Sequence, residues 1–411
     1  MPAVSGRVNP PVTRMNERDR APRGARAPRA ACRALVLVAL LAGCAAQPAL
    51  RVATSGDYPP FTTVAADGTR GGLDVAIATR LAEDLGLKLE WVPLAWPELA
   101  DAVVRGEFDV ALSGVTMRAD RAVIGRYARP YALTRAVPAI RPADGKRWRA
   151  LADLNRAGVR IAVNAGGHLE AVARQRFSRA TIVPIADNRL IEALADKKVD
   201  VIITDTAELA AWPAGQPPPT ALPPLTVDDK APLLPPDRAE LAAQIDDWLM
   251  AREADGWLDA ERVRALGSSA SLDAAAAARQ AVAAWVRLRL ALMPDVAAAK
   301  RAAGQPIEDR DQEARVLARV RQQVPTAPDR AAAVYKELIA MAKAVQGRAP
   351  ARAGDGPSLN TLRAALGRID EALCRELDHL PPASAATWRT ALQQTGAAPA
   401  AIDRLAAALA F

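Results

Sequence analysis

From residue 50 to about residue 267, short apolar runs alternate with longer segments of helical spacing: 50–54, then 74–85, 87–92, 99–104 and 108–112. Short apolar runs bounded by turn residues predict strands, and the 3.6-residue spacing between them predicts amphipathic helices. The same β-α-β-α rhythm resumes over 159–163, 171–177, 181–184, 190–195 and 199–204, which predicts a second sheet. Between the two groups, residues 137–140 read as an extended crossing. After the Pro-rich stretch 216–224, residues 231–234 read as the crossing back. Two α/β lobes joined by two strands make a clamshell whose ligand site is expected between the lobes, at strand C-terminal ends.

Beyond Ser268 the strand signal vanishes. Apolar positions at helical spacing run through 272–303, 309–324, 330–346 and 359–377 and on to Phe411, interrupted by Gly304-Gln305-Pro306 and by residues 325–328 and 347–357. This predicts a separate all-α domain at 268–411, behind a two-lobed α/β domain at 48–267 and a leader at 1–44. Neither domain carries a short-period repeat.

The composition, 51% hydrophobic and 24% charged, is that of a globular protein, while only 4% aromatic residues leave few base-stacking platforms. The formal charge of +8 is concentrated in the leader, where eight Arg face Glu17 and Asp19. The first 44 residues thus hold +6 and the remainder +2, so no nucleic-acid partner is expected. An Arg-rich stretch ending at Arg33 precedes the apolar run 34–41, too short to span a bilayer and of signal-peptide length, so export to the periplasm is expected. The run ends in Leu41-Ala42-Gly43-Cys44, which resembles the bacterial lipobox. Two outcomes stay open: a lipid anchor at Cys44 as the one membrane contact, or cleavage beyond Ala46 and a soluble protein. Cys32 leaves with the leader, so Cys44 and Cys374 cannot build a disulfide framework, and Cys374 reads as a buried small hydrophobe.

The motifs Thr54-Ser55-Gly56-Asp57-Tyr58-x-Pro60-Phe61, Gly72-Leu73-Asp74-Val75, Ser113-Gly114-Val115-Thr116 with Arg121, and Thr204-Asp205 resemble the type II periplasmic amino-acid-binding proteins. With Trp96-Pro97-x-Leu99, Val163-Asn164-x-Gly166-Gly167, Thr204-Asp205-x-x-Glu208 and Lys230-Ala231-x-Leu233-Leu234-Pro235, they resemble the cyclohexadienyl dehydratases built on that scaffold. The resemblance implies expulsion of CO2 and a ring hydroxyl from prephenate or arogenate. It places Asp57, Trp96, Ser113, Thr116, Arg121, Asn164, Gly166 and Asp205 at the substrate. Arg121 would clamp a carboxylate, Asn164 and the glycine amides would cradle an anion, and Asp205 would receive an α-amino group. Hydroxide leaves poorly, so an acid must protonate it; the resemblance implies Glu208, whose other reading is a surface acid opening the helix 207–211. The chain departs from the family at His168-Leu169, where a Thr-Asn pair is common. His168 either compensates or is a helix-start cap or surface residue.

In the helical half, Arg289 and Lys300 lie eleven residues apart, ~20° from one face at 3.6 residues per turn. Together with Pro306-Ile307-Glu308-Asp309, Ala342-Lys343-Ala344-Val345-Gln346 and Arg363, this resembles the all-helical chorismate mutases, especially their exported subclass. The implied pericyclic shift needs no nucleophile, metal or proton transfer, only positioning and electrostatics. Arg289 and Arg363 would hold carboxylates, Lys300 a carboxylate and the ether oxygen, Gln346 would donate to that oxygen, and Asp309 and Glu313 would accept from the ring hydroxyl. Gln312 stands where an Arg is usual, and Arg310 or Arg315 are the replacements in view.

The leading expectation is a bifunctional exported enzyme that takes chorismate through prephenate to phenylpyruvate, or arogenate to phenylalanine, with no cofactor and no metal. A homo-oligomer stays open. The alternative is an amino-acid-type binding clamshell fused to an active mutase. A sensor or transport module with both sites degenerate is the third.

Overall fold

The computed structural model describes residues 48–410, apart from 187–188, 213–214, 216 and 351–355. The expected leader, with Cys44, lies outside the described residues.

The first lobe is a five-stranded mixed sheet in the order Lys88–Pro93, Ala49–Thr54, Val110–Ala111, Leu233–Leu234, Arg126–Tyr127. The first three strands are parallel, and Leu233–Leu234 returns antiparallel. Period-two alternation sorts the side chains of Ala49–Thr54. Leu50 and Val52 pack with Ile77 and Leu81 on one face, whereas Ala53 joins Leu99 and Phe108 on the other. The second lobe repeats the plan in the order Thr181–Ile185, Arg160–Asn164, Val201–Asp205, Ala136–Ile140, Thr220–Ala221. Ile161 and Val163 face one buried cluster, and Ala162 the other. The two-lobed α/β class expected from the rhythm is therefore present.

Both crossings are displaced from their expected places, since residues 231–234, read as the crossing back, hold the first-lobe strand Leu233–Leu234. Residues 137–140 are not a connector but most of the strand Ala136–Ile140, buried along its whole length and antiparallel to Val201–Asp205. The lobes are joined instead by the antiparallel ribbon of Ala132–Thr134 with Asp228–Lys230.

Among the described residues of the second half, seven α-helices follow: α1 (Ala274–Ala291), α2 (Met293–Ala302), α3 (Arg310–Gln323), α4 (Pro328–Arg348), α5 (Leu359–Asp378), α6 (Ala385–Leu392) and α7 (Pro399–Leu409). Asp273, Asp309, Ser358 and Ser384 cap α1, α3, α5 and α6 with their side-chain oxygens. The stretch 272–303, expected as one helical run, breaks at Leu292. Pro294 sits in the first turn of α2, where its missing N–H costs nothing.

This half is helical, yet it is not walled off as a separate unit. Trp285, Val286, Leu362 and Ile369 belong to the same buried cluster as Leu99, Phe108, Val115, Tyr127 and Leu233 of the first lobe. Polar contacts reinforce the junction. Arg287 grips Asp229 of the ribbon with a closest contact of 2.6 Å, and Arg129 pairs with Glu376 where both are buried. Arg368 on α5 donates to the carbonyls of Ala122, Val123 and Gly125, at the C-terminal end of the helix Ala119–Ile124 that carries Arg121.

Candidate active sites

The cleft between the lobes is lined by Tyr58, Trp96, Gly114, Thr116 and Arg121 from the first lobe and by Asn164, Gly167, His168 and Leu169 from the second. Lys230 enters from the ribbon. The lobes meet tightly here. Tyr58 OH donates to Asp205 Oδ2 across the cleft at 2.9 Å. Gly166, at φ +72°, lies so close to Pro97 that a Cβ would come within 2.7 Å of Pro97 Cγ. Gly114, at φ +61°, sits similarly under the Tyr58 ring.

Arg121 is 6% exposed, stacks over Trp96 at 5.9 Å and donates to the Thr116 carbonyl at 3.2 Å. Among the described residues no carboxylate lies within ion-pair distance of its guanidinium. Burial lowers its pKa, so an anionic ligand arriving here would find an under-compensated cation. His168 Nε2 lies 2.8 Å from Asp228 Oδ1, and Thr226 holds the other oxygen of that carboxylate at 2.9 Å. Burial pushes the Asp228 carboxyl up, but His168, Lys230 and Thr226 together outweigh it and the net shift is downward.

Of the expected cleft residues, Trp96, Thr116, Arg121 and Asn164 line the site, and the Asn164 Oδ1 is buried without a partner. Four expectations are corrected. Asp57 is exposed because strand alternation turns its neighbour Tyr58 inward. Ser113 lies behind the lining, where its Oγ accepts the Ser55 N–H at 3.0 Å and pairs with the Ser55 hydroxyl at 2.8 Å. The Gly166 N–H cannot cradle an anion, since Glu170 Oε2 already accepts it at 2.7 Å. Asp205 is fully buried behind the lining and accepts from Ala207, Tyr58, Thr134 and Lys230.

Glu208 also stands behind the lining in this conformation. It is the third residue of the short helix Thr206–Ala210, and Oε2 accepts from Thr204 Oγ1 at 2.6 Å and from the Asp205 N–H at 3.3 Å, closing a capping box. Its charge nevertheless reaches the cleft. Burial, then Asp205, then Glu208 push the Tyr58 hydroxyl well above the ordinary tyrosine value, which keeps Tyr58 a donor.

The second site lies inside the helical bundle. Arg289, Lys300, Asp309, Glu313, Gln346 and Arg363, all expected from the sequence, line one pocket with Met293, Gln312, Arg319, Lys343 and Asp370. Arg289 and Lys300 meet there although the helix breaks between them, so the continuous-face argument reaches the right pair by the wrong path. Arg289 is 5% exposed and donates through Nε to Asp370 at 3.0 Å, leaving Nη1 buried without a partner. Burial pulls its pKa down, but Asp370 and Tyr335 outweigh that, and the guanidinium stays charged. Lys300 donates to the Ile307 carbonyl at 2.7 Å, and burial, partly offset by Asp309, lowers its pKa. Gln346 is held by its Nε2 contact with Met293 Sδ at 3.4 Å.

Gln312 is engaged by Arg315 at 3.0 Å, and Arg310 pairs with Glu308, so neither Arg310 nor Arg315 replaces the missing cation. Arg319 and Lys343 line the pocket instead, Arg319 at 3.3 Å from Asp370 and Lys343 at 3.1 Å from Glu313. The signal was available: Arg319 follows Gln312, and Asp370 follows Arg363, by seven residues, about two helical turns on one face. With Arg319 and Lys343 included, five cations and three carboxylates line the pocket, an excess that suits a dianion. In the cleft, sequence reasoning missed Tyr58, Lys230 and Asp228. Lys230 stood inside a quoted motif, but nothing local announced that it turns inward.

A two-lobed α/β clamshell with its ligand cleft at the hinge defines the class. The chain belongs to the bacterial extracellular solute-binding proteins, family 3, whose sequence model matches residues 50–264. Within that class it is 35% identical, over 213 residues, to the cyclohexadienyl dehydratase of Pseudomonas aeruginosa, a match covering 51% of this chain and 79% of that protein. It is also 24% identical over 157 residues to the L-cystine-binding protein TcyJ of Escherichia coli, covering 38% of this chain and 58% of that one. Among solved structures, an ancestral amino-acid-binding protein described as a precursor of cyclohexadienyl dehydratase superposes with a TM-score of 0.50 at 25% identity. That match covers 53% of this chain and 95% of the other. Residues 280–347 match the model of chorismate mutase type II, so the chain carries that domain too. Both resemblances read from the sequence are borne out.

Proposed function

We propose that the chain converts chorismate to prephenate in the bundle and prephenate to phenylpyruvate in the cleft, outside the cytoplasm. The observation that carries it is the convergence of Arg289, Lys300, Gln346 and Arg363, from four different helical segments, on one pocket with excess positive charge.

In the bundle, chorismate is a dianion whose ether C–O bond breaks as a C–C bond forms, with negative charge developing on the ether oxygen. Arg289 Nη1 and Arg363 hold the carboxylates. Lys300 and the Gln346 amide donate to the oxygen, stabilising charge that is largest in the transition state. In the cleft, the bond from the ring to its carboxylate breaks, the freed electron pair makes the ring aromatic, and the ring C–O bond breaks as the hydroxyl takes a proton. The products are CO2, water and phenylpyruvate. Arg121 anchors a substrate carboxylate, and Glu208 delivers the proton after its carboxyl rotates out of the helix cap. His168, already on the lining and oriented by Asp228, is the second candidate donor.

The receptor alternative is not favoured, because Asp205, the expected seat of an α-amino group, is already occupied. Incubating the full chain with chorismate and following loss of chorismate with appearance of phenylpyruvate tests the reading. Accumulation of prephenate alone would leave the clamshell a binding module.

A further inference from the structure

The cleft contains an ammonium seat that is filled by the protein itself. Lys230 is 2% exposed, and its Nζ lies 3.0 Å from Tyr58 OH, 3.0 Å from Thr116 Oγ1 and 3.2 Å from Asp205 Oδ2. A primary ammonium has three hydrogens, and three oxygens surround this one. Asp205 already receives four donors. Its Oδ1 accepts the Ala207 N–H at 2.8 Å, while Oδ2 receives Tyr58 at 2.9 Å and Thr134 at 2.6 Å besides Lys230.

Resting on the dehydratase reading, we infer that Lys230 makes the cleft selective for 2-oxo acids over 2-amino acids, so that prephenate rather than arogenate is the substrate. Both molecules carry two carboxylates and the same ring; they differ where one has a 2-oxo group and the other an ammonium. An ammonium entering a buried site needs a carboxylate or several acceptors to replace its water. Among the described residues no carboxylate lines the cleft in this conformation, and the charged side chains on the lining are Arg121 and Lys230. Among the described residues, the one orphaned buried side-chain acceptor on the lining is Asn164 Oδ1, a neutral amide oxygen that suits the ring hydroxyl and cannot neutralise a cation. The arogenate ammonium would also stand against the charges of Lys230 and Arg121, a repulsion that the neutral 2-oxo group does not meet.

The test compares kcat/KM for prephenate and arogenate in the full chain. Rejection of an unmatched polar group from a desolvated site predicts a preference for prephenate of about tenfold or more, and a smaller ratio would overturn the inference. In Lys230→Met the seat opens and Asp205 is left without its cation, so the preference should shrink or reverse through a gain on arogenate. Retained mutase activity shows that this variant is folded. Binding of phenylpyruvate and of phenylalanine, taken as the calorimetric heat that Arg121→Ala removes, separates the two ways of failing. If neither substrate is consumed but phenylpyruvate binds more tightly, the dehydratase reading falls and the selectivity stands. Equal turnover of the two substrates, or equal binding of the two products, contradicts the selectivity itself.

Discussion

The two pockets solve the same electrostatic problem, a dianionic substrate, in opposite ways. The bundle pocket presents its cations partly unspent: Arg289 keeps a free Nη1, and Lys300, Arg319, Lys343 and Arg363 gather around three carboxylates. The cleft has consumed one of its cations internally, since Lys230 is locked onto Asp205, and leaves Arg121 as the proposed anchor. A pericyclic shift needs only a fixed field around a moving charge, and a crowded, preorganised pocket supplies it. Expulsion of hydroxide also needs a proton at one atom; the cleft sets hydroxyl and imidazole groups on its lining and keeps the carboxyls of Asp228 and Glu208 behind them.

The largest effect that would sharpen this contrast is loss of the proton donor. Glu208→Gln should lower prephenate turnover by ~10²- to 10⁴-fold and leave the chorismate step intact. His168→Gln should lower it by no more than about tenfold, as expected for a contact that orients substrate. Steady-state kinetics on supplied prephenate decide the matter, and the reverse ranking would make His168 the donor. Next comes the field in the bundle. Lys300→Ala should reduce chorismate turnover by ~10²- to 10³-fold with prephenate dehydration unchanged. A smaller effect is expected for Gln346→Glu, about tenfold at neutral pH. An ionised Glu cannot donate to the ether oxygen and repels its charge, so activity should recover as the solution is acidified towards the ordinary Glu pKa of ~4.3. A flat pH profile would remove Gln346 from that role.

The smallest expected effect probes the junction between the regions. Arg368→Ala uncaps the helix that positions Arg121, three carbonyls losing a charged donor. The KM for prephenate should rise by a few-fold, with kcat little changed, for a loss on the order of 1 kcal/mol. An unchanged KM would mean that the first lobe holds Arg121 without help from α5.

The helical pocket was far more legible in the sequence than the cleft. Its residues fall in motifs carried on or beside long helices, and all six that the resemblance implied converge on one pocket. Only the break at Leu292 and the inward turn of Lys343 had to come from tertiary packing, since the seven-residue spacings of Arg319 from Gln312 and of Asp370 from Arg363 were there to be read. In the cleft, the strand rhythm predicted two lobes correctly, but the lining is built from strand ends and tight turns where a shift of one residue reverses the side chain. Asp57 and Tyr58 are the clearest case, and Ser113 beside Gly114 is another. Lys230 was hidden for a different reason. A lysine in an extended run gives no local sign of burial, and its partners Tyr58, Thr116 and Asp205 are 172, 114 and 25 residues away. The shared core between the first lobe and the bundle was equally invisible, because both faces read simply as apolar.

The central claim is that one chain runs two chemistries in two pockets. Product analysis after adding chorismate to the wild type, to Lys300→Ala, to Arg121→Ala and to a mixture of the two variants tests it most directly. The account predicts phenylpyruvate from the wild type, unreacted chorismate from Lys300→Ala, accumulated prephenate from Arg121→Ala, and restored phenylpyruvate from the mixture. Failure of Lys300→Ala to dehydrate supplied prephenate, or failure of the mixture to restore product from two folded variants, would contradict it.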